Sequence, residues 1–342
     1  MAIVFVFYAY CQKFTRGIRF LLRCHDMQCE LLHGEDEHPI CYGAFSISRV
    51  GLVVCIWYKH ATVSQFIWEE SHEFAIASRE EYTQCQEVAM RITGAGWTDI
   101  GLQRDTNEDS FAITQEGKEV ERQGACYVVC DGLGGAQAGE VASRTAVETF
   151  VAAWCSRELS AEDTKQRLRL AVHEANAVVY RLSLSSEDLA GMGTTLVAFV
   201  PHAERAYICN VGDSRCYRLR GSVLTQLTED HTMAADMIRH GLLDPAYARN
   251  VSERNILTRA LGTAARVEVD VVSDELCAGD RYLLCSDGLW GTISESDLKT
   301  GLTGGSPEET AHRLVDLANA CGGPDNSTAI VVDVEETAGL VD

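Results

Sequence analysis

From residue 90 onward the chain falls into regular blocks of apolar and polar positions, and before it no such order holds. Short apolar runs bounded by Gly, Asn, Asp and Ser predict strands at about 97–103, 109–113, 125–130, 193–200, 205–210, 214–220, 266–272, 280–285 and 328–334. Periodic stretches predict helices at about 138–155, 163–184, 232–241, 294–300 and 307–320. In the first of these, Val141, Ala142, Thr145, Ala146, Thr149, Phe150 and Ala153 recur at three and four residues and make one apolar stripe, which needs a sheet to cover. Two consecutive helices separate the 125–130 strand from a cluster of strands, so the order is not a strict βαβ alternation. It predicts an α+β fold of antiparallel sheets with helices packed outside them.

Upstream of residue 90, Cys, His and aromatics are scattered among runs such as 18–22 and 50–57 with neither helical nor alternating period. Met90 stands where a start codon would stand. Two readings of residues 1–89 are open: an upstream region translated in error, or an N-terminal extension with a regulatory or docking role. The expected organisation is 1–89 as this extension, 90–336 as a catalytic domain and 337–342 as a tail. Cys24, His25, Cys29, His33, His38 and Cys41 suggest a zinc site, but no Cys-x-x-Cys pair occurs and the spacing fits no standard knuckle.

At 342 residues the chain has ample material for a core. A formal net charge of -21 argues against nucleic acid, because an acidic surface repels a polyanion and no basic run offsets it. A membrane partner is not expected either. The opening Met1–Tyr10 is apolar but short, lacks a basic start and a small-residue cleavage site, and is well under the roughly 20 residues a span needs. Of the 14 cysteines, Cys126, Cys130, Cys209 and Cys285 lie inside apolar runs, where a thiol packs as a small hydrophobe, so reduced thiols and a cytoplasmic location are expected.

The chemistry is carried by four acidic motifs: Arg104-Asp-Thr-Asn-Glu-Asp109, Cys130-Asp-Gly-Leu-Gly-Gly135, Leu284-Cys-Ser-Asp-Gly-Leu-Trp290 and Gly322-Gly-Pro-Asp-Asn-Ser-Thr328. Each sets a carboxylate beside Gly, Ser or Asn at the end of an apolar run. Carboxylates ionised at neutral pH repel one another when they converge, unless a cation joins them. An all-oxygen donor set selects Mg²⁺ or Mn²⁺ over zinc. Two such ions sharing a water can lower its pKa enough to supply hydroxide for phosphate-ester hydrolysis.

Together with Met192-Gly-Thr-Thr195, Val211-Gly-Asp-Ser-Arg215, Leu227-Thr-Glu-Asp-His-Thr232 and Asn255-Ile-Leu-Thr-Arg-Ala-Leu-Gly262, these motifs resemble, in order from about residue 93 to 334, the metal-dependent serine/threonine protein phosphatases called protein phosphatase 2C, and among them the compact bacterial members. The resemblance implies a four-layer α/β/β/α sandwich of two antiparallel sheets flanked by helices. It also implies hydrolysis of phosphoserine and phosphothreonine in proteins by direct attack of a hydroxide bridging two metals, without a phosphoenzyme. It assigns Asp131 as the carboxylate bridging both metals, the Gly132 carbonyl as a ligand of the second, and Asp287 and Asp325 as further ligands of the first. Glu108 would hold the second metal directly or through water, and Asp109 would orient a metal-bound water. Arg104 would bind the substrate phosphate, and Asp213 would help hold a third metal with Asp287 shared. The cofactors implied are two Mn²⁺ or Mg²⁺, with room for the third. The partners are phosphoprotein substrates and a Ser/Thr protein kinase, and the protein is expected to be a monomer.

Residues 231–254 correspond to the family's mobile flap. Leu133 stands where many eukaryotic relatives have a proton-donating His, and Ala136 where bacterial ones often have one; His231 and His240 are substitutes for the missing acid. Rival readings are a pseudophosphatase or regulatory binding protein of the same fold, and a two-metal hydrolase of small phosphoesters.

Overall fold

The structure, a computed structural model, describes residues 90–116, 124–156 (Ala136 by its backbone alone), 163–245, 247 and 251–336, together with the backbone of seven strands between residues 10 and 76. The chain divides into two compact units, Met1–Glu87 and Val88–Asp342. The described strands of the first unit form two antiparallel sheets joined neighbour to neighbour, Tyr10–Lys13, Ile18–Cys24 and Met27–His33 in one and Cys41–Ser48, Gly51–Tyr58, Ser64–Trp68 and Phe74–Ile76 in the other. Hairpins of this kind were not read from the sequence, whose apolar runs there lack a period of two. The side chains of the six Cys and His residues suggested as a zinc site, and the tail 337–342, lie outside the described residues.

The second unit contains strands β1 (Met90–Asp99), β2 (Asp109–Thr114), β3 (Cys126–Leu133), β4 (Gly193–Thr194), β5 (Leu196–His202), β6 (Arg205–Val211), β7 (Arg215–Arg220), β8 (Val223–Gln226), β9 (Asp270–Glu275), β10 (Arg281–Cys285) and β11 (Ser327–Glu336). Its helices are α1 (Ala136–Cys155), α2 (Thr164–Ser183), α3 (Met233–Arg239), α4 (Asp287–Trp290), α5 (Glu295–Gly301) and α6 (Pro307–Ala320). One antiparallel sheet runs β4-β3-β5-β6-β9 with β2 on the other side of β3; the second runs β8-β7-β10-β11-β1.

Alternation along the strands assigns the layers. Tyr127 and Val129 of β3, Phe199 of β5, Tyr282 and Leu284 of β10 and Ile330 and Val332 of β11 point into one buried cluster between the sheets. Their neighbours Val128, Cys130 and Ala198 pack instead with Phe150, Trp154, Leu168 and Val172 of α1 and α2. Leu283, Cys285 and Val331 pack with Leu298, Leu314 and Val315 of α5 and α6. Both faces of both sheets are thus covered, which is why the central strands read as continuous apolar runs. The result is the expected four-layer α/β/β/α sandwich. Cys126, Cys130, Cys209, Cys216 and Cys285 are buried in it with free thiols, and burial pushes each of them up in pKa.

Several boundaries differ from the sequence reading. The strand expected at 97–103 is β1, which ends at Asp99, and 100–108 is a loop. Its turn is forced at Gly101, with φ +80 and an imagined Cβ only 2.4 Å from the Asp325 carbonyl oxygen. The 193–200 strand is broken at Thr195 into β4 and β5, the 266–272 strand lies later as β9, and β8 and α4 were not foreseen.

Candidate active site

The acidic motifs meet where strand ends from both sheets converge. β3 runs antiparallel to β2 with Asp131 opposite Asp109, and Gly132 N–H donates to the Glu108 carbonyl at 3.1 Å. The Asp131 backbone is clamped on its other side. Its N–H donates to Thr195 Oγ1 (3.0 Å), while its carbonyl accepts from Thr195 N–H and Thr194 Oγ1, each at 2.8 Å. The two threonines of Met192-Gly-Thr-Thr195 therefore fix where the Asp131 carboxyl points.

From the second sheet, β10 delivers Ser286 and Asp287 into the first turn of α4. Ser286 Oγ donates to Asp109 Oδ2 at 2.7 Å, and Thr328 Oγ1 donates to the same oxygen at 2.6 Å. Asp109 is thus held across the two sheets, and its other oxygen, Oδ1, is buried without a hydrogen-bond partner among the described residues. Asp287 lies within side-chain hydrogen-bonding reach of Asp131. Two carboxyl groups keep such a distance only when a proton or a cation sits between them.

Asp325 is brought in by the loop entering β11. Gly288 makes this close approach feasible, since a Cβ there would lie 2.0 Å from the Asn326 carbonyl oxygen. Asn326 staples the 100–108 loop to that entry: its Oδ1 accepts from Glu108 N–H (2.8 Å), and its Nδ2 donates to the carbonyls of Ile100 (2.8 Å) and Thr106 (3.0 Å). At the rim, Arg104 Nη2 donates to Asp325 Oδ2 at 2.7 Å with both side chains partly exposed, a pairing worth about 0–1 kcal/mol. Glu108 is seated against the first turn of α1, where a Cβ on Gly139 would fall 2.0 Å from its Oε2. A Cβ on Gly132 would fall 2.2 Å from the Gly139 carbonyl oxygen.

The electrostatics follow from this crowding. Burial, then Asp109, Asp287, Asp213 and Asp325, hold the Asp131 carboxyl well above the usual carboxylate range. Asp131 still keeps some surface open to solvent, so the group sits at the base of a cleft, not in a closed core. Burial and Asp325 raise Asp287, opposed by the bond to Asp131 and by Arg104 and Arg254. Burial, with Asp287 and Asp230, lifts Asp213 to about 8. Burial also lifts Asp109 to about 7 against its bonds to Thr328 and Ser286, with Asp287 and Asp325 pushing it further. Glu108 is raised by burial and Asp325, opposed by Arg104.

An all-carboxylate set whose members raise one another, with an orphaned buried oxygen beside it, suits a hard divalent cation. Among the described residues no trio of His, Cys, Asp or Glu is drawn in to the spacing of a closed metal cage. What fits the cation here is donor chemistry and mutual charge, not ready-made coordination.

The structure brings Asp131, Asp287, Asp325, Glu108, Asp109, Gly132 and Arg104 into one neighbourhood. Asp213 lies on the loop after β6 within electrostatic reach of Asp131 and Asp287, with its carbonyl accepting from Trp290 Nε1 at 3.0 Å. His231 is a correction: it is buried, Nδ1 accepts from Gly212 N–H (3.1 Å) and Nε2 faces Asp270 (3.1 Å), so neither nitrogen is free to serve as an acid. His240 lies at the end of α3 with Nδ1 against the Asp236 carbonyl at 2.7 Å. The sequence reading missed the supports Thr194, Thr195, Asn326, Ser286 and Gly139. Their signal was present as motif positions beside the acids, without a chemical role to mark them. No helix among the described residues is long and apolar enough to cross a membrane.

A family profile described as Protein phosphatase 2C matches residues 103–314. The serine/threonine phosphatase stp of Listeria monocytogenes is 39% identical over 243 residues, 70% of this chain and 95% of that protein. The crystal structure of the Mycobacterium tuberculosis serine/threonine phosphatase PstP/Ppp is similar at 37% identity and a TM-score of 0.64, covering 71% of this chain and 99% of that one. A structure of the PstP catalytic domain in complex with two manganese ions is 35% identical with a TM-score of 0.63, covering 72% of this chain and all of that one.

Proposed function

The chain belongs to the protein phosphatase 2C family, and on that footing we propose that it removes phosphate from phosphoserine and phosphothreonine of proteins by direct, metal-dependent hydrolysis. The observation that carries the reading is the meeting of Asp131, Asp287 and Asp325 from three distant stretches of chain, with Asp131 raised by burial and then by its fellow carboxylates. When bound, a pair of divalent cations supplies an acidified water as nucleophile and draws charge from the phosphoryl oxygens.

In this reading Asp131, Asp287 and Asp325 would hold one cation, and Glu108 with the Gly132 carbonyl would hold a second that Asp131 would share. Asp109, fixed by Ser286 and Thr328, keeps one oxygen to orient water at the site. Asp213 faces a third, looser position. Arg104 offers its fork of donors to two phosphate oxygens, and its pairing with Asp325 holds the guanidinium at the rim until substrate arrives. With His231 engaged at both nitrogens, the proton for the departing serine or threonine oxygen comes from water.

The manganese-bound relative supports Mn²⁺ as the working ion, with Mg²⁺ the alternative of the same hard-donor class. A Ser/Thr kinase as opposing partner, a monomeric state and a cytoplasmic location complete the reading. We further propose that residues 90–336 make up the catalytic domain and that 1–89 is dispensable for chemistry, since every residue invoked above lies after Met90. Phosphothreonine-peptide hydrolysis with Mn²⁺ and with EDTA, on the full chain and on protein beginning at Met90, tests both parts. Mn²⁺-dependent turnover by each protein, faster on phosphopeptides than on nucleotides, is expected. Full turnover in EDTA refutes the chemistry, and an insoluble or inactive shorter protein refutes the boundary.

A further inference from the structure

Asp213 lies on the short turn between β6 and β7, and its neighbours on that turn are tied down from outside it. Gly212, at φ +101, donates its N–H to His231 Nδ1 at 3.1 Å. The Asp213 carbonyl accepts from Trp290 Nε1, and Ser214 Oγ shares a 2.6 Å hydrogen bond with Thr195 Oγ1. Arg215 makes a two-pronged pair with Asp230 at 2.9 and 2.6 Å while its guanidinium lies 3.3 Å from the centre of the Trp290 ring. The turn is therefore held through the backbone of Gly212 and Asp213 and the side chains of Ser214 and Arg215, and the Asp213 carboxyl, bonded to its own backbone N–H, lies within electrostatic reach of Asp287 and Asp131.

Of these ties, the one through His231 has a chemical direction. Because Nδ1 accepts from a backbone N–H, the ring proton must sit on Nε2, a tautomer assigned from its partners. Nε2–H then donates to Asp270 Oδ2 (3.1 Å), whose other oxygen accepts from Arg259 Nη1 (3.0 Å). Arg259 Nη1 also lies 3.2 Å from Nε2; two donors stand side by side, both turned to the Asp270 carboxylate. His231 is also threaded by its own backbone, donating to the Gly212 carbonyl (3.0 Å) and accepting from Thr258 N–H (2.8 Å). A carboxylate fixing the tautomer of a histidine that in turn aims a ligand is the arrangement by which outer groups tune a metal site.

We propose that His231, oriented by Asp270 and Arg259, is the positioning residue that sets the aim of the Asp213 carboxyl through the Gly212 N–H. The proposal rests on the reading of Asp213 as a residue that faces a bound cation. It separates the two ring nitrogens by function: Nδ1 does the positioning, and Nε2 only holds the ring. Asn at 231 can present an amide oxygen near the place of Nδ1, whereas Gln reaches toward the place of Nε2 and leaves Gly212 N–H without its acceptor.

The test uses the full chain and inorganic Mn²⁺ alone, following free Mn²⁺ by its electron paramagnetic resonance signal so that binding is counted without turnover. Wild type should show one weaker class of site that Asp213→Asn removes. His231→Gln should weaken that class by about 10–100-fold, the range seen for outer groups of metal sites, while His231→Asn stays near wild type. In the Asp213→Asn background His231→Gln should change Mn²⁺ binding no further. Thermal melts in EDTA accompany each variant, and because Asn and Gln are compared with each other, a folding loss common to both leaves their difference readable. Equal binding by His231→Gln and wild type overturns the proposal, as does equal weakening by Asn and Gln or an additive loss in the Asp213→Asn background. A chain in which Asp213→Asn removes no site, while other Mn²⁺ still binds, overturns it through Asp213 alone. A wild-type chain that takes up no Mn²⁺ overturns the metal-dependent reading itself.

Discussion

Replacing Gly139 by Ala separates the demands of the site from those of the fold. Gly139 lies inside α1, where Ala is favoured over Gly by about 0.5–1 kcal/mol. Its added methyl would meet Glu108 Oε2 at 2.0 Å, Glu108 Cδ at 2.8 Å and the Gly132 carbonyl carbon at 3.1 Å. The last is a tight contact that a small shift relieves. The first is not tolerable, and the carboxylate must retreat by about 1 Å or more, a misplacement that costs on the order of 100-fold in rate at a catalytic site. That factor corresponds to about 2.7 kcal/mol of transition-state stabilisation. The two effects differ in sign as well as size, because the helix gains slightly while the site loses heavily.

The assay is kcat/KM on a phosphothreonine peptide in Mn²⁺, beside urea unfolding of the same protein, in a cycle with Glu108→Ala. Gly139→Ala should lose about 100-fold in wild type and almost nothing further in the Glu108→Ala background, since the carboxylate it displaces is already gone. Its unfolding free energy should lie within about 1 kcal/mol of wild type. An unimpaired Gly139→Ala, or losses that add in the double variant, would refute the seating of Glu108 against α1.

Asp131→Asn should abolish nearly all phosphopeptide turnover while circular dichroism shows a folded protein; a wild-type rate would remove Asp131 from the metal site. In EDTA, folded Asp109 and Asp213 hold protons up to about 7 and about 8, well after the same groups have ionised in the unfolded chain near their ordinary value of 3.8. The folded state then binds more protons than the unfolded one, so stability falls as pH rises from about 5 to 8. Differential scanning fluorimetry should show this decline in EDTA and its flattening in Mn²⁺, and a melting temperature that climbs across the window without metal would contradict it. Asn326→Ala leaves Glu108 N–H and the Ile100 and Thr106 carbonyls without partners, which should destabilise by on the order of 2–4 kcal/mol in urea unfolding. A change below about 0.5 kcal/mol, the usual range of surface substitutions, would mean the loop is held elsewhere.

The acids were legible because each stands beside a small or polar residue where an apolar strand stops, and a stop is a local signal. The layers were read from the order of the blocks and from the family resemblance, and the structure shows their physical basis: Tyr127 and Val129 face the other sheet while Val128 and Cys130 face α1 and α2, so β3 is covered on both faces. β1 was misplaced because two of its residues are glycines. A Cβ on Gly94 would fall 2.5 Å from the Tyr127 ring and one on Gly96 2.6 Å from the Phe111 ring, so these positions exist to let aromatics of the other sheet lie against the strand. That requirement is non-local, and in sequence it looks like a weak strand. The supports of the site were hidden likewise. Asn326 acts on backbone groups more than 200 positions away, and Thr195 acts on Asp131 across 64.

The same separation explains how a chain can afford so many acids in one cleft. Among the described residues the acids are opposed by Arg104, partly exposed at the rim, and by Arg254, while the largely buried Arg215 beside Asp213 is itself paired with Asp230. Most of the neutralisation is left to protons, which carboxyls raised by burial and by one another retain, or to cations, which displace those protons. The neutral scaffold of Thr194, Thr195, Ser286, Thr328 and Asn326 fixes the acids or their backbone without discharging them. Had Lys or Arg done that work, the acids would sit low in pKa and the pull on a divalent ion would be spent within the protein. A site held by hydroxyls and amides keeps its negative field for the metal, and accepts in return a metal-free state that weakens as its carboxyls lose their protons.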